Sequence, residues 1–357
     1  MIMNLYRTIE RSAVQFDFMV YKPEKGIYED EVKTLGGRVY HTPPFELRTL
    51  AAYIRSLDTF FREHTEYRIV HNHMGSNGAF VCRAARKHNI PVVIVHSHSG
   101  FAPMIVYEPR ILLRKVIMTA LSKISNYYCT DRMACSKEAG QAYFGRRSKD
   151  IIVLHNALDT NIFRYDPRER ERVQNIMGLS GLVIGHVGRF DLNKNHVFLL
   201  NVFHAVLRRK PEAVLLLVGE GILSEQIYET ARSLGISENV RFLGVREDIQ
   251  SLMQVMDVFV MPSKIEGLPV ACIEAQATGL PCIISSTITA ETAVTSLCRF
   301  LSLNDTPELW ADAAITAAST TIRKDMSAII TAAGYEISQT AAWLRDYYIE
   351  KYNGTEQ

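Results

Sequence analysis

No apolar run in this chain approaches the roughly 18 residues that a bilayer-spanning helix requires. Met1 to Arg11 is too short and too mixed in character to be a signal peptide. The six cysteines (Cys82, Cys129, Cys135, Cys272, Cys282 and Cys298) are scattered, with no C-x-x-C pair. Each sits among apolar strand-like or helical residues, which points to buried thiols rather than disulfides or a zinc cluster, and to a reducing cytoplasm. Also missing are an RNA-recognition signature and a basic stripe interleaved with aromatics, so no nucleic-acid partner is expected. There is no repeat of 20–50 residues and no low-complexity tract, which sets aside solenoids and disordered linkers.

What is present is an ordinary globular composition. The 357 residues are 47% hydrophobic, enough for two domains with their own cores. The net charge of +2 hides an asymmetry. Residues 1–157 hold 22 Lys/Arg against 14 Asp/Glu, a balance of +8, and residues 158–357 hold 18 against 24, a balance of −6. A basic first half suits an anionic partner or surface.

Short β-branched runs alternate with segments of helical period. Strands are expected at 16–21, 38–41, 67–73, 91–97, 126–130 and 132–136, then at 182–188, 214–219, 240–244, 258–262 and 281–285. Helices are expected at 47–62, 78–89, 196–209 and 223–235, with a last amphipathic one at 340–352. Wholly apolar strands alternating with helices mean parallel sheets covered on both faces. The fold class is therefore α/β, with two doubly wound domains and a cleft between them, because such sheets bind ligands at the carboxyl ends of their strands. The polar stretch 155–172 separates a domain 1–157 from a domain 158–335, and 336–357 forms a C-terminal helix and tail.

Two stretches point to chemistry. In HVGRFDLNKNH (186–196), Gly188 closes a strand, Arg189 and Lys194 follow five residues apart, and Asn195 can cap the helix that begins at His196. Two cations beside free helix N–H groups suit a diphosphate; a solvated loop with ordinary surface cations is the plainer reading. In PSKIEGLPVACIEAQATG (262–279), Glu266 lies ahead of a helix that Pro269 would open and Gly279 would close, and Glu274 lies within that helix. Carboxylates accept hydrogen bonds from sugar and ribose hydroxyls, and the N–H groups of Gly267 and Leu268 would face an anion.

The ordered set Gly-Arg-x4-Lys-Asn, VGEG (218–221), FLGVREDI (242–249) and PS-x2-EGLP-x4-E resembles the signature of the family 4 glycosyltransferases, in particular members that build exopolysaccharide and capsule. The resemblance spans nearly the whole chain and implies the GT-B fold of two facing Rossmann-like domains. It implies a retaining hexosyl transfer from a nucleotide-diphosphate sugar, a UDP-sugar by analogy with those members, to a glycan or lipid-diphosphate-linked acceptor. Carried over residue by residue, Arg189 and Lys194, with Gly188 and Gly219, hold the donor diphosphate. Glu266 contacts the transferred sugar near Gly267 and Leu268, Glu274 takes the ribose, and Val245-Arg246 borders the base. No D-x-D acid pair occurs, so no metal or other cofactor is expected, and cations and helix N–H groups must stabilise the leaving diphosphate. The acidic run 29–31 reads as solvated.

Histidines end two strands, His71 and His73 in HNH and His96 and His98 in HSH. No Asp or Glu lies in 69–107 to complete a zinc set, so the metal reading is set aside. The resemblance implies a histidine beside the donor sugar: His96 as catalytic residue, His98 as its alternate or as an acceptor-side group. His71 and His73 read as structural or acceptor-side. The stretch 108–125 looks like a cationic amphipathic helix, with Ile111, Leu112, Met118 and Leu121 apolar and Arg110, Arg114, Lys115 and Lys123 basic, suited to an anionic membrane surface or to packing on its own sheet.

The resemblance breaks in two places. Family members begin with a strand and a Gly-rich loop ahead of the helix that MIMNLYRTIERS resembles, so the first domain is expected to lack that strand through a displaced start or a truncated gene. A short form that binds nucleotide-sugar with little or no catalysis is the alternative. At 155–159 the chain reads HNALD where the family has Asn-Gly, and Ala157 would disfavour a positive φ.

Overall fold

A computed structural model describes residues 1–22, 24–98 and 109–355; the side chains at 109–112, 114, 146 and 148 lie outside that description. The chain divides into two compact units, one made of Met1–Asn156 with Ile337–Gln357 and the other of Ala157–Glu336. The last helix, Ile337–Asn353, thus packs with the first unit rather than standing as a separate tail. Ala157 is buried and does not adopt a positive φ, so its Cβ costs nothing at this junction.

In the first unit, β1 (Phe18–Val20) and β2 (Val39–His41) pair as a two-stranded parallel sheet. A four-stranded parallel sheet runs in the order β3 (Ile69–Asn72), β4 (Val92–Ser97), β5 (Asp131–Ala134) and β6 (Ile151–Val153). Every residue of β4 is buried, as its continuous apolar run requires of a strand covered on both faces. On one face Val93 and Val95 pack against Tyr53, Leu57 and Phe61 of the helix Leu50–Glu63 and Cys82 and Ala85 of the helix Ala79–Lys87. The other face meets the C-terminal helix, which is tied down where the Tyr347 hydroxyl donates to Asp131 at 2.6 Å and Lys351 pairs with the same carboxylate at 2.6 Å.

In the second unit, β7 (Val183–Val187), β8 (Val214–Val218), β9 (Val240–Phe242), β10 (Val258–Met261), β11 (Cys282–Ser285) and β12 (Cys298–Leu301) form one parallel sheet in the order β12-β11-β10-β7-β8-β9. Its core contains Ile184, Leu215, Leu217, Val258 and Val260, packed against Leu199, Val202 and Phe203 of the helix His196–Leu207 and against Trp310. The chain runs outward one way from β7 through β8 to β9, then returns to lay β10, β11 and β12 on the other side. The order reverses between β7 and β10, the place where doubly wound sheets open a crevice.

Several sequence expectations change. Residues 126–128, expected as strand, close the helix Pro109–Tyr128, because Tyr128 packs inward from the helix and the Cys129 N–H still reaches Ser125 at 2.9 Å. The strands β6 and β12 were not foreseen: one is three residues long, and the other is an edge strand bearing Cys298 and Arg299. The acidic run is not solvated throughout. Glu29 is buried, accepts from the Gly26 N–H at 2.6 Å and meets His41 at 3.2 Å. The cysteines are not all dispersed either: Cys272, Cys282 and Cys298 bring their sulfurs within 4.8 Å of one another, although as expected five of the six are buried.

Candidate functional site

The carboxyl ends of β7, β8, β9 and β10 bring the expected donor residues to one edge of the second sheet. Gly188 follows β7, and its N–H donates to the Val218 carbonyl at 2.9 Å. Gly219 follows β8 with φ +130°, and a Cβ there would lie 2.1 Å from the Gly188 oxygen, so two backbones cross where no side chain fits. The Gly219 N–H in turn reaches the Gly244 carbonyl at 2.8 Å, which sets the loop of Val245 and Arg246 beside it. Val245 is largely exposed, and Arg246 folds back onto Asp248 with two hydrogen bonds of 2.7 and 2.6 Å.

Across the switch point, the loop after β7 is laced to the loop after β10. The Lys264 N–H donates to the Asn193 carbonyl at 2.7 Å. Asn195 precedes the helix at His196, as expected, but caps it without a side-chain bond; it adopts φ 58° and sends its amide to the Pro262 carbonyl at 3.2 Å. Lys194 pairs with Glu266 at 2.7 Å, and both side chains are more than four-fifths buried. The sequence assigned these two residues to different parts of a ligand; the structure joins them to each other. Arg189 is exposed and makes no ion pair among the described residues. The Gly267 and Leu268 N–H groups have no hydrogen-bond partner among the described residues either. Pro269 stands at the N-cap, one residue ahead of the helix Val270–Ala277.

Glu274 lies on that helix at intermediate exposure, and desolvation lifts its carboxyl from the usual range to about 7. Its side chain makes no hydrogen bond within the described residues, so its oxygens are free to accept. Two buried histidines beneath this edge escaped the sequence reading. His186 donates Nδ1–H to the Val260 carbonyl at 2.8 Å, and its ring meets that of His196 edge-on at 4.8 Å. Burial holds both well on the neutral side of their ordinary range. Both stood in the HVGRFDLNKNH stretch, and the only available signal was their place at the strand end and the helix start.

The first unit holds His71, His73, His96 and His98 on one face of β3 and β4, where adjacent rings stack at 4.2 Å. His96 is fully buried, whereas His98 and His73 line a cavity of about 750 Å³ that also touches Met1–Asn4, Phe18–Tyr21 and Asn156. His98, not His96, is therefore the histidine of its pair that a molecule in this cavity can touch.

The comparisons agree with this geometry. The family model described as Glycosyltransferase Family 4 matches residues 1–162, and that described as Glycosyl transferases group 1 matches residues 181–320. EpsF of Bacillus subtilis (strain 168), described as a glycosyltransferase, is 34% identical over 98% of this chain and 92% of its own length. The UDP-Gal:alpha-D-GlcNAc-diphosphoundecaprenol alpha-1,3-galactosyltransferase of Escherichia coli is 30% identical over 62% of this chain and 58% of its own. Among solved structures, Anabaena Alr3699/HepE in complex with UDP superposes with a TM-score of 0.74 at 18% identity, covering 98% of this chain and 96% of that one. Sucrose-phosphate synthase from Thermosynechococcus elongatus gives 0.78 at 17% identity, over 99% and 93%. The fold is GT-B, and this chain is a glycosyltransferase that belongs to family 4.

Proposed function

We propose that this enzyme transfers a hexosyl group from a UDP-sugar, with retention of configuration, to a glycan or lipid-diphosphate-linked acceptor in surface polysaccharide synthesis. The observation behind the reading is the meeting, at the β7/β10 switch point, of an unpaired Arg189, a Lys194 held by Glu266, and the free N–H groups of Gly267 and Leu268. That set offers positive charge and directed donors to a diphosphate without help from a divalent ion. Glu274 accepts from the ribose hydroxyls, the exposed Val245 with the Arg246 backbone flanks the base, and Glu266 turns to the sugar once phosphate takes over Lys194. In the transfer, the bond from C1 to the phosphate oxygen breaks, C1 bonds to the acceptor oxygen, and the acceptor proton passes to the departing diphosphate on the same face. A histidine of the first unit assists, and His98 is the better exposed of the two candidates. UDP in the HepE complex and the UDP-sugar and lipid-diphosphate in the name of the E. coli relative favour these ligand classes.

Calorimetric titration with UDP tests the donor site. Arg189→Ala is expected to weaken binding by about 1–3 kcal/mol, as for a lost charge-assisted hydrogen bond, without lowering stability, since the residue is exposed. Equal UDP affinity in the parent and in the Arg189, Lys194 and Glu274 variants would remove the assignment. The anomeric configuration of the product, read by NMR, tests retention.

Contact with an anionic membrane completes the proposal. No helix among the described residues is long and apolar enough to cross a membrane. On the helix Pro109–Tyr128, however, Leu113, Val116 and Ile117 are exposed at i, i+3 and i+4, beside an exposed Lys115. Leu121, expected on the outer apolar face, is buried, and Arg110, Ile111, Leu112 and Arg114 fall outside the described side chains.

A further inference from the structure

We infer that His71, His73 and His96 form a binding site for one divalent transition cation of the zinc type, inside the first unit and separate from the donor residues. The register of the sheet builds the cluster. His71 pairs with Ile94 across β3 and β4, and side chains alternate faces along a strand, so residues 71, 73, 96 and 98 all project from one side at the carboxyl edge. One ring nitrogen from each of His71, His73 and His96 lies within 4.8 Å of the other two. A cation about 2.1 Å from three tetrahedrally placed nitrogens needs them about 3.4 Å apart, which small χ rotations of stacked rings can supply.

Two independent features suit these rings to a metal. First, the buried nitrogens have little other employment: among the described residues His71 Nε2 has no hydrogen-bond partner, and the His96 ring meets no side-chain partner, with only the Leu154 backbone close by. Second, in two of the three rings, those of His71 and His73, one nitrogen is already engaged in the way that orients metal-bound imidazoles. His71 Nδ1 meets the Tyr348 hydroxyl of the C-terminal helix, and His73 Nδ1 lies 2.9 Å from His98 Nε2, so each ring has its other nitrogen left for a ligand. His73 also lines the 750 Å³ cavity, which gives water or an anionic oxygen a route to a fourth position. Three neutral imidazoles plus an exchangeable oxygen is the ligand set of open zinc sites, and it needs no protein carboxylate.

The test uses untagged full-length protein stripped with a chelator and then titrated with Zn2+ against a chromophoric competitor, with Co2+ as the optical probe. One equivalent is expected, with a Co2+ spectrum lacking a thiolate-to-metal band. That absence separates the site from the Cys272, Cys282 and Cys298 cluster. His71→Ala and His96→Ala should each abolish binding at one equivalent, with the fold checked by circular dichroism. Tyr348→Phe keeps the helix packing and removes only the hydroxyl; it should weaken Zn2+ by about 10–100-fold, as loss of an outer partner does, and so decides the matter even if a histidine variant fails to fold. Less than one equivalent in the parent, a thiolate band, or an affinity unmoved in Tyr348→Phe would each overturn the inference.

Discussion

At the scale of single residues, the Lys194–Glu266 pair is the feature on which the proposed donor site turns. Both ends are mostly buried, so in the proposed donor complex a diphosphate would have to compete with Glu266 for the ammonium. Glu266→Gln preserves the shape and releases that charge; UDP affinity should rise several-fold while sugar transfer falls, a split that titration and a transfer assay read separately. Glu274 makes a second prediction. Its folded pKa of about 7 lies above the 4.5 expected when unfolded. The neutral form is favoured in the folded chain, so the related stability is intact below about pH 4.5 and is lost as pH rises through about 7. Glu274→Gln should therefore raise stability above pH 7, by up to about 3 kcal/mol, and leave it unchanged near pH 4. Urea melts at the two pH values check this. If Glu274 accepts the ribose hydroxyls as proposed, UDP binding by the parent should strengthen between pH 6 and 8, as that carboxylate ionises. The sequence showed which residues stand at this edge because each motif is short and local. It did not show that Lys194 would choose Glu266, a partner 72 positions away, nor that Tyr348 would reach His71 from 277 positions away.

At the scale of elements, legibility followed length and burial. The strands β4, β7, β8 and β10 were plain in the sequence because central parallel strands are apolar on both faces. The strand β12 was hidden, since its pattern of partial exposure at Cys298, Arg299 and Phe300 belongs to an edge covered on one side only. The run Asn126-Tyr127-Tyr128 shows propensity losing to context: aromatic residues favour strands, yet a helix already under way buries Ser125 and half-buries Tyr128. The same helix supports a further prediction. Replacing Leu113 and Ile117 together by Asp should abolish sedimentation with anionic liposomes and spare UDP binding, whereas a parent protein that stays in the supernatant would remove the membrane contact from the proposal.

At the scale of the whole molecule, the chain passes between its two units twice, near Asn156 and again near Glu336. The two passages are tied to each other inside the second unit. The Leu158 N–H donates to the Tyr335 carbonyl at 2.9 Å, and Glu336 accepts from the Thr160 N–H at 3.0 Å. A fragment 157–336 has a complete six-stranded sheet and its own core, so it should fold alone and bind UDP with close to parental affinity. Failure to bind in a folded fragment would show that the nucleotide depends on residues elsewhere. The sequence gave no sign that the final helix returns to the opening unit, because that docking rests on Asp131, Arg68 and Glu10, all far upstream.

That return has a practical corollary for recombination among relatives. A hybrid spliced once, at residue 157, would inherit its closing helix from the second parent and press foreign tyrosines onto Asp131 and the imidazole stack of the first. Exchange of the second unit therefore calls for two cuts, one on either side of the clasp formed by Leu158 and Glu336, so that each half keeps the wrapping it evolved with.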